Sequence, residues 1–358
     1  MNNNTQPARK RVTFTNIRRL KIIATFSAGW TLAFMFLTII RGVGATEDGA
    51  VDFDIATSLF YSITMGPVFG AISGYAQIIT GERFYKRISA GRLLIIRLAL
   101  SVVILALLIT VSYIIVPPLL GIDISLRDFI FDEGSSAIYF FILTTDFFMA
   151  ALWQVNLMLG GNNLWKILIG KFYEPHEEKR IFMFLDLKDS TKLAEQLGHI
   201  KYSRLVQDCF NDLGVVIENE AEIYQYVGDE AVLTWNLKTG LRKANCIHAF
   251  YNFKKRLQKK EAYYLKKYNC MPFFKAGLNG GVVIATEVGK YKKEIAYHGD
   301  TINTASRIQN KCNEYGQELL ISENLKDALS YSAFQFELLG NIPLKGKQDE
   351  VGIYAVRP

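Results

Sequence analysis

Two acidic residues in separate parts of the chain carry the first chemical signal. The stretch YQYVGDEAVLTW (224–235) sets Asp229 and Glu230 between two runs of β-branched, aromatic and apolar residues. Gly228-Asp229 has the composition of a two-residue hairpin turn, so the carboxylates are expected at a hairpin tip. Upstream, RIFMFLDLKDSTKLAEQLG (180–198) predicts a strand from Ile181 to Leu185 with Asp186 and Leu187 at its end. The capping residues of DSTK then open a helix that closes at Gly198. A carboxylate leaving a strand beside the free N–H groups of a helix start suits a divalent cation and a polyphosphate together. Turn chemistry alone accounts for an isolated Gly-Asp. A second carboxylate in a similar setting points to a shared metal site.

A third constellation lies in GDTINTASR (299–307), where helical spacing puts Asn303 and Arg307 four residues apart on one face. Arginine is always cationic and can bond two oxygens at once, which suits a phosphate. The elements that must position these groups alternate. A strand is followed by a helix over about 190–220, the hairpin 222–236 and a long helix over about 242–268. FFKAGLNGGVVIATEVG (273–289) then reads as a second strand pair turning at Gly280-Gly281, ahead of the Asn303/Arg307 helix and further strands. This order suggests an α+β sandwich of the split βαβ kind.

Half of the 358 residues are hydrophobic, and they are unevenly placed. Four apolar segments, near 20–40, 56–80, 93–117 and 136–160, each approach the ~20 residues a helix needs to cross a bilayer. The N-terminal stretch holds Arg9, Lys10, Arg11, Arg18 and Arg19, and the link after the second segment holds Arg83, Lys86, Arg87 and Arg92. The other links are acidic, with Glu47, Asp48, Asp52 and Asp54, then Asp123, Asp128, Asp132 and Glu133. The positive-inside rule therefore places both chain ends in the cytoplasm, with a multi-pass region in the plasma (inner) membrane. The first segment lacks a small-residue cleavage site and is read as retained.

The expected organisation is a four-helix transmembrane domain (1–165), a linker (166–178) broken at Pro175, and a soluble domain (179–358). The net charge of +7 sits largely beside the apolar segments, where anionic lipid accounts for it without nucleic acid. The four cysteines lie in the soluble part without Cys-x-x-Cys pairing, and the four histidines show no zinc-ligand spacing. Asp146, with Gln154 and Asn156 on the same apolar segment, is an intramembrane polar set suited to helix packing or ligand sensing.

FMFLDLKDST, YVGDEAVL, GDTINTASR and LKGK resemble, in order and approximate spacing, the class III adenylyl/guanylyl cyclases over roughly residues 175–358. The resemblance implies a ferredoxin-like catalytic domain that works as a homodimer with nucleotide between protomers. It makes Asp186, Asp229 and the backbone carbonyl of Leu187 the ligands of two Mg²⁺ or Mn²⁺ ions. It has Asn303 orient the ribose, Arg307 stabilise charge at the α-phosphate, and Lys345, or less favourably Lys347, reach the terminal phosphates. Backbone N–H groups of Lys188, Asp189, Ser190 and Thr191 are expected near the triphosphate. Glu230 has no role in the family and is expected to point away from Asp229 into solvent.

The chain departs from the family pattern at Asp189-Ser190, where Gly-Phe is common, and at the base-reading positions, which are Gln225 and Ala296. The expected function is a membrane-bound adenylate cyclase making 3′,5′-cyclic AMP and pyrophosphate from ATP. A guanylate or other nucleotide cyclase, or a catalytically weak cyclase-like receptor module, is the alternative.

Overall fold

The computed structural model describes residues 14–42, 55–84, 88–120, 124–131, 133–158, 160, 163–329, 334–343 and 350–358. The chain forms two compact units that divide between Met158 and Leu159.

The first unit is helical: α1 (Phe14–Gly42), α2 (Ile55–Phe84), α3 (Ala90–Leu120), a short α4 (Leu126–Phe131) and α5 (Glu133–Met158). Among the described residues, four helices contain segments long and apolar enough to cross a membrane: Asn16–Gly42, Ile55–Gly81, Ala90–Ile115 and Ser136–Met158. Much of their apolar surface, including Leu32, Phe60, Ile95 and Phe148, points outward. Helices α1 and α2 meet through Gly66, Gly70 and Gly74, spaced four apart on one face. A Cβ at Gly70 would lie 2.2 Å from the Cα of Ser27, and one at Gly66 would lie 2.5 Å from that of Thr31. Small residues at that spacing let two backbones touch where lipid offers no hydrophobic drive for association.

The second unit runs α6 (Asn163–Leu168), β1 (His176–Leu187), α7 (Ser190–Leu197), α8 (His199–Leu213), β2 (Glu222–Val227), β3 (Glu230–Asn236), α9 (Leu237–Leu241), α10 (Asn245–Gln258) and α11 (Glu261–Tyr268). It continues with β4 (Phe274–Val288), β5 (Glu294–His298), α12 (Asp300–Lys311), β6 (Leu319–Ser322), α13 (Glu323–Ala328), β7 (Gln335–Pro343) and β8 (Glu350–Arg357). The strands form a sheet ordered β2-β3-β1-β4-β6-β8-β7, with β5 paired to β4. Its heart, β2-β3-β1-β4, is antiparallel and has the split βαβ order, with β1 and β4 central. Phe172, ahead of β1, is buried with Phe182, Val232, Tyr297 and Ala305.

Alternation along the strands gives the sheet two covered faces. Ile181, Met183, Leu185, Ala231, Leu233, Trp235, Ala276 and Leu278 turn to one face and pack with Leu205, Phe250 and Phe253. Residues of opposite parity, Phe182, Phe184 and Val232, turn to the face that carries α12. Period-two alternation in β1 and β3 therefore builds two cores at once.

Two expectations about local structure are corrected. Gly280-Gly281 is not a turn: both lie inside one continuous strand, β4. The glycines serve packing, since a Cβ at Gly281 would stand 2.7 Å from Oγ1 of Thr301, and one at Gly280 would stand 3.0 Å from Leu325. The helix expected over 190–220 is broken at Gly198, whose φ of 72° ends α7.

Candidate active site

Strand register builds a charged row at one edge of the α12 face. Asp186 lies opposite Glu230 on β3 and opposite Lys275 on β4. Cross-strand partners share a face, so the three side chains stand side by side. Lys275 Nζ is 3.1 Å from Asp186 Oδ2, and the Gln309 amide of α12 donates to that oxygen at 3.0 Å.

Asp229 occupies the turn between β2 and β3, beside this row. The Glu230 carboxyl is pushed up to about 7, first by burial and then by the charges of Asp186 and Asp229, with Lys275 opposing. This corrects the expectation for Glu230. It is half-buried and shares the face of Asp186, because Asp229 belongs to the turn and the alternation rule does not extend across it. Tyr202 of α8 lies beside Ser190 and Asp229, and its phenol is raised by burial and then by the Asp229 charge.

The turn from β1 into α7 holds the expected phosphate loop. Lys188 donates its N–H to Phe273 at 2.8 Å, and Asp189 adopts φ 57°, ψ 32°. This left-handed conformation suits the glycine common at that position in cyclases, and Asp is among the few other residues that tolerate it. Asp189 makes no side-chain cap, contrary to the capping read from the sequence. Lys188, Asp189 and Thr191 are exposed and Ser190 is half-buried, while Leu187 is fully buried. The early N–H groups of α7 are left for an external acceptor, as at any helix start.

Helix α12 is seated by specific bonds. Thr301 Oγ1 donates to the Val282 carbonyl at 2.7 Å, Asn279 Nδ2 to the Thr301 carbonyl at 2.9 Å, and Ser322 to Asn279 Oδ1 at 2.7 Å. A Cβ at Gly277 would stand 2.2 Å from the Gln309 amide nitrogen, so the helix lies directly on β4. Thr301, Thr304, Ala305, Ile308 and Gln309 face the sheet. Asn303 is exposed, and the Arg307 side chain is 30% exposed, with Nη1 buried and lacking a hydrogen-bond partner. At 100° per residue, Asn303 and Arg307 project from the side of the helix opposite the one that contacts Asp186.

The structure thus brings Asp186, Asp229 and the 188–191 turn together and pairs Asn303 with Arg307, but one chain aims these two sets apart. Gln225 is exposed on β2 beside a register shift, and Ala296 is half-buried on β5. Lys345 and Lys347 lie outside the described residues. Tyr202, Lys275 and Gln309 are contributors that sequence reasoning misses. Lys275 and Glu230 carry a usable signal only once the strand register is known.

The donor set fits a hard divalent cation. Burial first, and then the charges of Asp186 and Asp229, push Glu230 up to about 7, and the repulsive part of that is relieved by positive charge. Among the described residues no three His, Cys, Asp or Glu side chains close on one point. Asp186 and Asp229 can supply the one or two carboxylates that Mg²⁺ takes, its shell being completed by substrate phosphates and water.

The model of the adenylate and guanylate cyclase catalytic domain matches residues 172–357, over half of the chain. Adenylate cyclase 2 of Rhizobium meliloti (strain 1021) is 31% identical over 205 residues, covering 57% of this chain and 56% of the relative. Adenylate cyclase 1 of the same organism is 27% identical over 184 residues, 49% of this chain and 27% of the relative. The chain thus spans about half, or less, of the length of these relatives. A bacterial light-regulated adenylyl cyclase structure superposes with a TM-score of 0.53 at 18% identity, covering 63% of this chain and 66% of that one, a likeness of fold. With its motifs seated on a split βαβ sheet, the chain belongs to the class III adenylate and guanylate cyclase family.

Proposed function

We propose that this protein is a membrane-anchored adenylate cyclase that converts ATP to 3′,5′-cyclic AMP and pyrophosphate and works as a homodimer. The observation that carries the reading is the divergence of the two half-sites within one chain. Asp186 and Asp229 face one way and Asn303 and Arg307 another, so a second copy of the chain completes each site.

In this reading Asp186, Asp229 and the Leu187 carbonyl hold two Mg²⁺ or Mn²⁺ ions, which supply a lowered pKa at the ribose 3′-hydroxyl and neutralise the triphosphate. The amides of Lys188, Asp189, Ser190 and Thr191 cradle phosphate oxygens at the start of α7. Asn303 of the other protomer fixes the ribose, and Arg307 bonds the α-phosphate as its charge grows. Nη1 of Arg307, 3.9 Å from Asp300 Oδ1 and without a hydrogen-bond partner, is the donor this reading assigns to that bond. Lys345 holds the terminal phosphates. The 3′-oxygen gives its proton to solvent water and bonds the α-phosphorus as the bond from that phosphorus to pyrophosphate breaks, pyrophosphate leaving with that electron pair.

ATP is favoured because the relatives named above are adenylate cyclases. Gln225 and Ala296 favour a second reading, a guanylate or other nucleotide cyclase, since a glutamine amide can both donate and accept and alanine reads nothing. Four helices long and apolar enough to cross a membrane, with basic links between them, support a reading in which the first unit lies in the plasma (inner) membrane and the N-terminus and catalytic unit are cytoplasmic.

Complementation tests the shared site. Asp186→Ala and Arg307→Ala chains, inactive alone, regain activity when mixed, because each heterodimer contains one intact site. No recovery from folded, dimeric mixtures refutes it. Product analysis with each of the four ribonucleoside triphosphates decides the base.

A further inference from the structure

Just past the last apolar span, the chain carries a short helix whose apolar side is uncovered. In α6, Trp165, Leu168 and Ile169 are 68%, 68% and 57% exposed. Their spacing of three and four residues sets them within about a 100° arc of the helix surface. Tyr173, a few residues further on, is 82% exposed. Large apolar side chains exposed singly are ordinary, but several gathered on one face mark a surface that meets something.

The opposite side of this segment belongs to the catalytic unit. Lys166 Nζ stands 3.7 Å from Glu222 Oε1 of β2, and Lys171 Nζ donates to Glu178 Oε1 of β1 at 2.7 Å. Phe172 is buried with Phe182 and Val283, and its carbonyl accepts the Glu287 N–H of β4 at 2.8 Å. The segment is therefore fastened to the sheet while its apolar face looks outward.

Reach and composition together indicate what covers that face. Trp165 is seven residues past Met158, where the last apolar span ends, and seven residues extend at most ~25 Å. The face cannot leave the neighbourhood of a bilayer crossed by that span. Tryptophan and tyrosine, each with an apolar body and a polar tip, are the side chains that collect at the headgroup level. A stalk paired with a second copy would need α5 to run on unbroken into α6. Instead α5 ends at Met158, and Gly160 takes a φ of 84°, outside the helical region.

We propose that the outward face of α6 lies in the lipid–water interface, with Trp165, Leu168 and Ile169 among the headgroups and upper acyl chains, and so ties the catalytic unit to the bilayer surface. The inference rests on the membrane placement proposed above. Both lysines of the segment are engaged by carboxylates of the catalytic unit, so the contact is apolar and needs no acidic lipid.

The test uses the full chain in phosphatidylcholine nanodiscs with Cys270→Ser, the other three cysteines being buried. Nitroxide labels are introduced one at a time through Leu168→Cys on this face, Phe148→Cys on the outward side of α5 and Lys255→Cys on the exposed side of α10. Accessibility to oxygen, which enters lipid, against a water-soluble nickel chelate gives the depth of each label. The label at position 168 should favour oxygen and read about 5–10 Å into the boundary between headgroups and acyl chains, shallower than position 148 and unlike position 255.

A label at 168 that behaves like the one at 255, with 148 still in lipid, overturns the inference and leaves the membrane placement standing. Exclusion of both reagents at 168 also overturns it, and short 168–168 distances by double electron–electron resonance then identify a second copy as the cover. A water-exposed label at 148 refutes the membrane placement itself, and the inference with it.

Discussion

Replacing Gly277 with alanine tests whether the seating of α12 on β4 sets the geometry of the half-site that α12 carries. The new methyl would stand 2.2 Å from the Gln309 amide nitrogen, 2.6 Å from its Cα and 2.7 Å from the Ala305 carbonyl. All three are backbone atoms, so no rotamer change relieves the clash. Ordinary contact begins at 3.4 Å, and the helix must retreat by about 1 Å, a strain of ~1–3 kcal/mol. That movement draws Gln309 from Asp186, now 3.0 Å away, and carries Asn303 and Arg307 with it.

A misplacement of about 1 Å costs roughly a hundredfold in rate. The expected signature is a kcat about two decades lower, while the thermal midpoint falls by only ~4–8 °C for a strain of ~2 kcal/mol. Gly280→Ala is the control on the same strand. Its methyl meets the terminal Cδ1 of Leu325 at 3.0 Å and the Cγ1 methylene of Ile181 at 3.3 Å, side-chain rather than backbone atoms, which can give by a few tenths of an ångström. It should retain near-parental turnover and lose under ~1 kcal/mol. Both variants are assayed as full chains in detergent, for cyclic nucleotide formation with Mn²⁺ and for thermal unfolding. A Gly277→Ala protein with parental kcat, or two alanine variants that behave alike, refutes the reasoning.

Asp186→Asn and Asp229→Asn should each lower turnover by roughly 10²–10³-fold with the thermal midpoint little changed, since the proposed reading has these charges hold the cations; parental turnover in either contradicts the metal assignment. Glu178 has its carboxyl lowered to about 2: burial alone would raise it, but bonds from Lys171, His176 and Arg180 prevail. Its stabilising contribution is therefore present above about pH 4.5 and is lost as pH falls toward 2. Glu178→Gln should flatten that acid limb in pH-dependent unfolding, and an unchanged limb would exclude it. Trp235 is fully buried and donates Nε1–H to the Asn219 carbonyl at 2.9 Å. Trp235→Phe leaves that acceptor unmet and opens a cavity, for a loss of about 1–3 kcal/mol by denaturant titration.

The parts of the site that are legible in the sequence are those whose chemistry depends on neighbours along the chain. Asp186 at a strand end, Asp229 in a Gly-Asp turn, and Asn303 with Arg307 at helical spacing are all local patterns, and the structure seats each on the element its pattern implies. The helices of the first unit are legible for the same reason, since length and apolar composition are local properties. Gly280-Gly281 misleads because a glycine pair signals a turn only when nothing distant demands small residues. Here Thr301 and Leu325 do demand them, and both are remote in sequence.

Glu230 shows the limit most clearly. Its face is decided by the pairing of β3 with β1, which sets it opposite Asp186, and no count along 224–235 contains that register. Lys275 and Gln309 reach Asp186 through the same kind of long-range placement. Arg97 is a sharper case: a cation inside an apolar helix of high mean hydropathy is easily read past, and it gains meaning only when α2 and α5 bring Ser73 and Asp146 to it. Local pattern therefore nominates the candidate residues and the elements that carry them, and tertiary register decides what surrounds them. Because α12 turns Gln309 toward its own Asp186 and Arg307 away from it, that register is what the proposed sharing of the site between two chains rests on.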